Sequence, residues 1–348
     1  MKLKNPRSVF YLFSAMVLSS LIIGSYCKTS FTPVTDANAT ETIENTTNPS
    51  TRKSEYAPVD VEMSLVKVGD HSWYVQGKAG IATDNAGFIS NAGVIISDAG
   101  VVVFDALGTP SLANKLLQKI REITDKPIVK VVVSHYHADH IYGLQVFKEL
   151  GAEIIAPVGI YEYIDSPAAK SRLEERQFSL EPWVNEKTVI IKPDQILDKS
   201  TKFSVGNVDF TIDVVGSAHS DGDLTLFVDT DRVLYTGDII FEGRVPFIGS
   251  NKTRHWLETL EKMETNKVEG LVPGHGPAAA EPMQAITLTR KYLAFLREKM
   301  GAAAEEMMDF DEAYDAIDWS EYEKLPAFEE ANRRNAFQVY LSMEAEGS

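Results

Sequence analysis

The sequence predicts an α/β fold, in which strands and helices alternate along the chain. Residues 127–133 are β-branched and apolar and predict a buried strand, residues 142–150 predict a helix, and residues 152–156 predict the next strand. Strand, helix and strand in succession indicate parallel pairing in that part of a sheet. With 44% hydrophobic residues in 348, the chain has enough apolar side chains for the core of one large domain or two small ones.

The elements before this unit are also strand-rich. Strand-like runs cover residues 61–76 and 87–105, with turn residues between them. Residues 111–122 predict a helix, because four apolar side chains recur on one face at helical spacing. These four are Leu112, Leu116, Leu117 and Ile120.

The elements after it are more helical. Residues 158–188 predict a partly helical insertion, which either covers the functional site as a lid or lies at the periphery of the fold. Residues 283–299 and 328–343 predict two helices, separated by an acidic, methionine-rich segment at 300–319. We interpret this tail as a helical extension that packs on the domain or on a second subunit, so a homo-oligomer is left open.

The amino terminus is typical of an export signal. Lys2, Lys4 and Arg7 precede an apolar stretch at residues 9–24, which is short for a membrane span. We therefore predict that residues 1–27 are a signal sequence or a membrane anchor, and that the protein is exported to the periplasm or cell envelope. The only cysteine, Cys27, is a candidate lipid-attachment site, and its being alone excludes a disulfide within the chain.

Composition divides the rest of the chain. Residues 28–57 are rich in polar residues and predict a disordered linker. The domain organisation predicted after it is a folded domain at 58–280 and the helical extension at 281–348. The formal net charge of −16 argues against nucleic acid as a partner and limits membrane contact to the N-terminal segment. A small-molecule substrate is the partner we expect.

A histidine cluster follows the strand at 127–133. His135, His137, Asp139 and His140 lie within six residues, at the point where the strand ends and a loop begins. Imidazole and carboxylate are ligands of zinc and similar divalent ions, so the cluster predicts a metal site.

Three further candidates each follow an apolar run and are flanked by glycine or another small residue. They are His219, Asp238 and His275. Glycine lets the backbone turn sharply and bring a short side chain to a shared centre. Five histidines and two aspartates placed in this way are enough for two metal ions that share one carboxylate. His71 and His255 lack such a context and are predicted to be surface or loop residues.

These motifs, together with Asp105 at the end of the apolar residues 101–104, resemble the metallo-β-lactamase-fold hydrolase superfamily over about residues 60–280. The resemblance implies a four-layer αββα sandwich, to which the C-terminal helical extension is added. It also implies two metal sites, with Asp238 bridging between them. The first comprises His135, His137 and His219, and the second comprises Asp139, His140 and His275. Asp105 would be a buried carboxylate that supports the histidine loop and is not itself a ligand.

The ligand set favours some branches of this superfamily over others. Zinc β-lactamases of the cysteine-containing type have cysteine in place of Asp238, commonly have lysine in place of Phe241, and lack His140. Diiron flavoproteins have glutamate in place of His137. The complete set looks most like glyoxalase II and its hydrolase relatives. Residues 237–246 and 332–337 further resemble exported zinc metallohydrolases associated with quinoprotein and sulfur-oxidation systems.

The resemblance implies a dinuclear zinc hydrolase, in which a metal-bound hydroxide attacks the carbonyl of an ester, thioester, lactone or β-lactam. Asp139 would orient the hydroxide and relay its proton, and Asp238 would bridge the two ions. Arg244 is predicted to contact a substrate carboxylate, and Tyr136 either points into the pocket or packs. Iron or manganese could replace zinc. The alternatives are a mononuclear-iron oxidoreductase similar to persulfide dioxygenases, and a dedicated β-lactamase.

Overall fold

The computed structural model describes residues 56–249, 252–263, 267–279 and 281–347. Residues 54–348 belong to one compact unit, in which two mixed β-sheets face each other and helices cover both outer faces. This arrangement confirms the α/β class and the four-layer αββα sandwich. The predicted signal at 1–27, Cys27 and most of the predicted linker lie outside the described residues.

The first sheet has seven strands that follow one another in chain order across the sheet. They are β1 (Val66–Lys67), β2 (Ser72–Val75), β3 (Ala92–Ile96), β4 (Val101–Phe104), β5 (Ile128–Val132), β6 (Glu153–Pro157) and β7 (Gln195–Leu197). Strands β1 to β4 pair antiparallel, and β4 to β7 pair parallel. Strands β5 and β6 are joined by α2 (Ala138–Ile141) and α3 (Leu144–Glu149). This order agrees with the predicted succession of strand, helix and strand.

The second sheet has five strands in the order β12-β11-β10-β9-β8. They are β8 (Thr201–Val205), β9 (Val208–Gly216), β10 (Asp223–Val228), β11 (Val233–Tyr235) and β12 (Gly270–Val272). All neighbouring pairs are antiparallel except β11 and β12, which are parallel.

Strand β4 shows how the first sheet joins two cores. Val101 and Val103 face the layer of helices, whereas Val102 and Phe104 face the second sheet. Successive side chains of a strand point to opposite faces, so a strand buried on both faces must be apolar throughout. The uninterrupted apolar run therefore predicts a central strand.

Helix α1 (Pro110–Arg121) covers the outer face of the first sheet. Thr109 caps it by accepting a hydrogen bond from the Leu112 amide at 3.0 Å. The predicted insertion contains two helices, α4 (Ile160–Ile164) and α5 (Pro167–Ser179), and Ser166 caps the second through the Ala169 amide at 3.1 Å.

The C-terminal part is helical, as predicted. The extension contains α7 (Pro282–Glu305), α8 (Phe310–Asp315) and α9 (Phe328–Gly347), and α6 (Thr253–Met263) precedes it, between β11 and β12. They bury their apolar faces in one cluster, with residues of the loop after β11. Met300 is fully buried in this cluster, whereas Met307 is 89% exposed. The extension thus packs on its own domain. Along the described part of the chain, no helix combines the length and apolarity that crossing a bilayer requires.

Candidate metal centre

The seven predicted ligands lie at the ends of strands in both sheets, and the fold brings all of them together. They form two groups, and the ligand atoms within each group lie within 4.8 Å of one another. The first group is His135, His137, His219 and Asp238, and the second is Asp139, His140 and His275. All are buried except His137 and Asp139, which are partly exposed.

In the first group, three imidazole nitrogens converge on one point. Nδ1 of His137 lies 3.0 Å from Nε2 of His135 and 3.0 Å from Nε2 of His219. Nitrogen ligands about 2.0 to 2.1 Å from a zinc ion in a tetrahedral site lie at a comparable spacing from one another. The trio therefore has the geometry of a three-histidine metal site.

Asp238 connects the two groups. Its Oδ1 lies 3.3 Å from Nε2 of His140, and its Oδ2 lies 3.4 Å from Nε2 of His219 and 3.2 Å from Nε2 of His275. In the second group, Oδ2 of Asp139 lies 3.3 Å from Nε2 of His275 and 3.5 Å from Nε2 of His140. One carboxylate thus contacts both sets of ligands, as a bridging residue must.

Asp105 orients two of the ligands from behind. Its Oδ1 accepts a hydrogen bond from the Ser134 amide at 2.7 Å, and its Oδ2 accepts from the Ser134 hydroxyl and from Nδ1 of His140, both at 2.8 Å. The Ser134 Oγ also lies 2.9 Å from Nδ1 of His135. Both imidazoles therefore present Nε2 to the site, which is the supporting position expected for Asp105.

The loop that carries His275 is held by residues that the sequence did not single out. Nδ1 of His275 lies 2.7 Å from the carbonyl oxygen of Ile89, to which it donates. The side-chain amide of Asn91 donates to the carbonyls of Pro273 and Gly276, both at 2.8 Å. In the sequence, Asn91 is only a single amide side chain at the start of an apolar strand. Its partners are more than 180 residues away, so no local pattern reveals the contact.

The loop that carries His219 is organised by Asp223, which sequence reasoning also missed. The buried carboxylate accepts hydrogen bonds from the amides of Ala218 and Ser220 at 3.0 and 2.9 Å, and from the Ser220 hydroxyl at 2.8 Å. Burial raises the pKa of Asp223 to about 7, against the opposing effect of these hydrogen bonds. The Trp256 ring packs edge-on against His219, with 5.5 Å between ring centroids.

The pKa shifts of the first-group histidines suit binding of a metal ion better than transfer of protons. Burial lowers the pKa of His135 and of His137, and it lowers the pKa of His219 to about 3. These imidazoles are therefore neutral near pH 7, with lone pairs free to bind a cation. Burial would raise the pKa of Asp238, but the neighbouring histidines His275 and His140 outweigh it and hold this pKa well below its usual range.

Two buried atoms between the groups indicate that a cation fits there. Nε2 of His140 and Oδ1 of Asp238 are buried and lie 3.3 Å apart, but neither forms a hydrogen bond with the other or with another described residue. Buried polar atoms are costly unless they are paired, and a metal ion would satisfy both. Five imidazoles and two carboxylates are a donor set suited to zinc, and also to iron or manganese.

A cavity of about 240 Å³ opens beside the ligands. Four arginines line it: Arg172 and Arg176 from α5, Arg244 from the segment after Asp238, and Arg334 from α9. The insertion at 158–188 therefore borders the site, which favours the lid interpretation over the peripheral one.

Tyr136 is absent from the described residues that line this cavity. Its hydroxyl donates to Oδ2 of Asp221 at 3.2 Å, and its ring stacks on Tyr163 with centroids 4.7 Å apart. The reason is local: in extended backbone, alternate side chains point in opposite directions, so Tyr136 turns away when His135 and His137 turn inward. The geometry supports packing for Tyr136, not contact with substrate.

The two remaining histidines lie outside the centre. Nδ1 of the half-buried His71 is 2.8 Å from Oδ1 of Asp231, and the partly exposed His255 lies on α6 with Nε2 at 3.2 Å from the carbonyl of Val215. His255 is therefore a helical residue at the surface.

Comparison with known proteins identifies relatives of this chain. The family model described as the metallo-beta-lactamase superfamily matches residues 85–275, more than half of the chain. The metallo-beta-lactamase type 2 of Elizabethkingia meningoseptica is 24% identical over 170 residues, covering 45% of this chain and 60% of the relative. The linear primary-alkylsulfatase of Pseudomonas sp. (strain ATCC 19151) is 21% identical over 222 residues, covering 54% of this chain and 42% of the relative. Less than two thirds of either relative is thus spanned.

Solved structures agree on the fold. A stereoselective inverting sec-alkylsulfatase from Pseudomonas sp. superposes with a TM-score of 0.62 at 18% identity, covering 80% of this chain and 50% of that one. A metallo-beta-lactamase from Pontibacter korlensis superposes with a TM-score of 0.54 at 15% identity, covering 67% of this chain and 99% of that one. At these identities the superpositions show a shared fold.

Proposed function

The chain belongs to the metallo-beta-lactamase superfamily, and on that premise we propose that it is a dinuclear zinc hydrolase that cleaves an ester, thioester, lactone or β-lactam. Its relatives include β-lactamases and an alkylsulfatase, which are hydrolases. The observation that carries the proposal is the position of Asp238, whose carboxylate contacts His219 of the first group and both His140 and His275 of the second group. A site for one ion does not need a shared carboxylate.

Each ligand has a definite part in this proposal. One ion would be held by His135, His137 and His219, and the other by Asp139, His140 and His275, with Asp238 shared between them. Zinc bound there would polarise the substrate carbonyl and supply hydroxide at neutral pH.

The protein's own groups position the reactants. The side chain of Asp139 is 21% exposed, and it lines the cavity beside His275. Although burial would raise the pKa of Asp139, the His140 and His275 imidazoles hold it well below its usual range. Asp139 is therefore a carboxylate that accepts a hydrogen bond from the attacking water and orients it.

A dedicated β-lactamase receives less support from this site. At the position where the cysteine-containing zinc β-lactamases commonly have lysine, Phe241 is fully buried, and its ring stacks on His275 with centroids 5.5 Å apart. This side chain shields a ligand and offers no charge to a substrate carboxylate. A mononuclear-iron oxidoreductase would leave part of the ligand set unused, so it stays the second alternative.

Export to the periplasm or cell envelope remains part of the proposal. It rests on the basic and apolar pattern of residues 1–27. Homo-oligomer formation likewise remains a prediction.

The experiment that tests the function combines metal content with a substrate panel. Elemental analysis of the purified protein should give about two zinc ions per chain, and one or more of a chromogenic cephalosporin, a lactone and a glutathione thioester should be hydrolysed. His140→Ala should lower the zinc content to about one, whereas His255→Ala, which removes a histidine outside the centre, should leave it unchanged. About one iron per chain with no hydrolysis of any substrate would refute the proposal.

A further inference from the structure

Arg244 is a buried cation beside the metal ligands. Only 2% of the residue is exposed, and its Nη2 atom has no hydrogen-bond partner among the described residues. Nε makes one long hydrogen bond, 3.4 Å, to the carbonyl of Val245. The guanidinium is held over the rings of Phe247 and Phe241, at 5.1 and 6.0 Å from their centroids. The charges of Asp238, Asp139 and Glu330 reach this guanidinium, but no carboxylate of the described residues forms an ion pair with it, and the first two belong to the predicted metal ligands. Burying such a group is costly unless an anion pairs with it, so we expect an anionic partner from outside the chain.

Three more arginines line the same cavity nearer to solvent. Arg172 and Arg176 share one carboxylate, that of Glu175, at 3.0 and 3.5 Å. Arg334 is exposed and forms no ion pair with any carboxylate in the described part of the chain. Its neighbour Arg333 instead pairs with Asp311 and packs on Tyr314. Of these two adjacent arginines on α9, only Arg334 is therefore available to bind a ligand.

The charge of the cavity is opposite to that of the protein. The chain carries a formal net charge of −16, yet four guanidinium groups and only one paired glutamate surround the cavity beyond the ligands. A concave site of one sign focuses its field on a ligand of the other sign. Arginine also binds carboxylate and other oxyanions in a bidentate manner.

We propose that Arg172, Arg176, Arg244 and Arg334 form an oxyanion-binding subsite, and that the substrate carries two anionic groups besides the bond that is cleaved. The reaction in this inference rests on the proposed function, whereas the two anionic groups are inferred from the arginines that line the cavity. One anionic group reaches the buried Arg244, and the other is held near the entrance by the arginines of α5 and α9. Apolar side chains also line the cavity, namely those of Ile89, Phe247 and Ile248. The substrate class is an ester or thioester of a polycarboxylic acid, or an equivalent with other oxyanions.

A charge series of substrates tests this specificity. The probes are three 4-nitrophenyl esters: the neutral acetate, the singly charged glutarate monoester and the doubly charged tricarballylate monoester. We expect kcat/KM of the zinc-loaded protein to rise about tenfold with each added charge. Arg334→Gln and Arg172→Gln should raise KM for the doubly charged ester, with little change for the acetate. Equal or falling kcat/KM along the series would overturn the inference.

Matched controls separate these arginines from general surface charge. Arg333→Gln removes the same charge from the adjacent position of α9, and Lys170→Gln removes one from α5, where Lys170 is 80% exposed and absent from the cavity lining. Both controls should behave as the wild-type protein. Arg244→Gln is a secondary variant because its burial couples it to folding, and the exposed Arg334 and Arg172 keep the test decisive without it.

A binding measurement distinguishes failure of this inference from failure of the proposed reaction. Tricarballylate is titrated calorimetrically into the wild-type protein and the same variants, both zinc-loaded and after chelation of the metal. Binding weakened about tenfold by Arg334→Gln in both forms supports the subsite, even if none of the three esters is hydrolysed. Binding that disappears on chelation and is unaffected by the arginine variants would place the anion on the metal and overturn the inference.

Discussion

Oδ2 of Asp105 lies 2.8 Å from Nδ1 of His140. Asp105 directly follows β4, and its backbone is left-handed with φ of 62°. Aspartate is among the few residues other than glycine that adopt this conformation readily. The turn lets a carboxylate from one strand end support the histidine loop that follows the neighbouring strand. A backbone bend in the first sheet thus fixes which nitrogen of His140 faces the metal centre.

Asp105→Asn tests this relationship. The amide can accept at only one of its two positions, so it cannot take the place of a carboxylate that accepts from the Ser134 amide, the Ser134 hydroxyl and His140. We expect zinc affinity to fall about 10- to 100-fold, as measured by competition with a chromophoric chelator. Asp70→Asn is the control, since Asp70 is exposed, pairs with Lys67 and is not part of the candidate metal centre. Unchanged affinity in the first variant would show that His140 needs no support.

Gly274→Ala tests the close contact that positions the Asp238 carboxylate. A Cβ atom at residue 274 would lie 2.0 Å from Oδ1 of Asp238, so Asp238 or the loop must move. We expect the zinc content to fall below that of the wild-type protein while the fold persists, as measured by elemental analysis and circular dichroism. Gly270→Ala is the control in the preceding strand, because its nearest neighbour, on Val233, would be 3.3 Å away. Full zinc content in the first variant would contradict a strict requirement for glycine.

The convergence of the seven candidate ligands was predictable from the sequence because their signals are local. An apolar strand ends at Val132, three residues before His135, and glycine directly precedes Asp238 and His275. Strand, turn and ligand are contiguous in each case, so the residue type and its structural context can be recognised together.

The arginine cluster was not predictable as a cluster, because its members converge only in the folded protein. Arg172 and Arg334 lie on different helices, which are separated in sequence by all five strands of the second sheet and by α6 to α8. On a single helix, an exposed arginine resembles any solvated residue. Only Arg244, close in sequence to Asp238, carried a local signal. Asn91 and Asp223 were missed for a related reason, since their role is to bond backbone groups, which no side-chain pattern reveals.

Asn335→Ala tests how the helical extension holds the segment that follows Arg244. The Asn335 side chain accepts from the Ile248 amide at 2.9 Å and donates to the Pro246 carbonyl at 2.6 Å and to the Tyr292 hydroxyl at 3.0 Å. Its removal leaves buried backbone groups unpaired, so we expect unfolding free energy to fall by about 1 to 3 kcal/mol in urea titrations.

The same variant should also weaken tricarballylate binding, because Phe247 and Ile248 line the cavity. Gln338→Ala is the control on the same helix, where Gln338 makes no side-chain hydrogen bond to a described residue. If both variants lower the unfolding free energy equally, Asn335 contributes only to the stability of α9 and does not hold the segment that follows Arg244.

Glu346 gives the end of α9 a pH-dependent attachment to the neighbouring helices. Its carboxylate accepts hydrogen bonds from Arg297 on α7 at 2.8 and 3.2 Å and from Arg254 on α6 at 2.6 Å. Hydrogen bonds from Arg297 and then Arg254 lower the pKa of Glu346 from 4.5 to about 2. A carboxylate with a lowered pKa stabilises the fold fully above its unfolded pKa, and the contribution is lost as pH falls from 4.5 towards 2.

Glu346→Gln should therefore unfold at a lower temperature than the wild-type protein at pH 7, and this difference should be clearly smaller at pH 2, where about half of the Glu346 carboxylates are protonated. Because the side chain is 30% exposed, solvent screening limits the difference in unfolding free energy to about 1 kcal/mol or less. Thermal unfolding between pH 2 and 7 measures it, and 1 M salt should reduce it further. Glu323→Gln, at another exposed glutamate, is the control. A difference that persists unchanged at pH 2 would mean that Glu346 stabilises α9 by packing, since protonation of about half of the carboxylates weakens the ion pairs there.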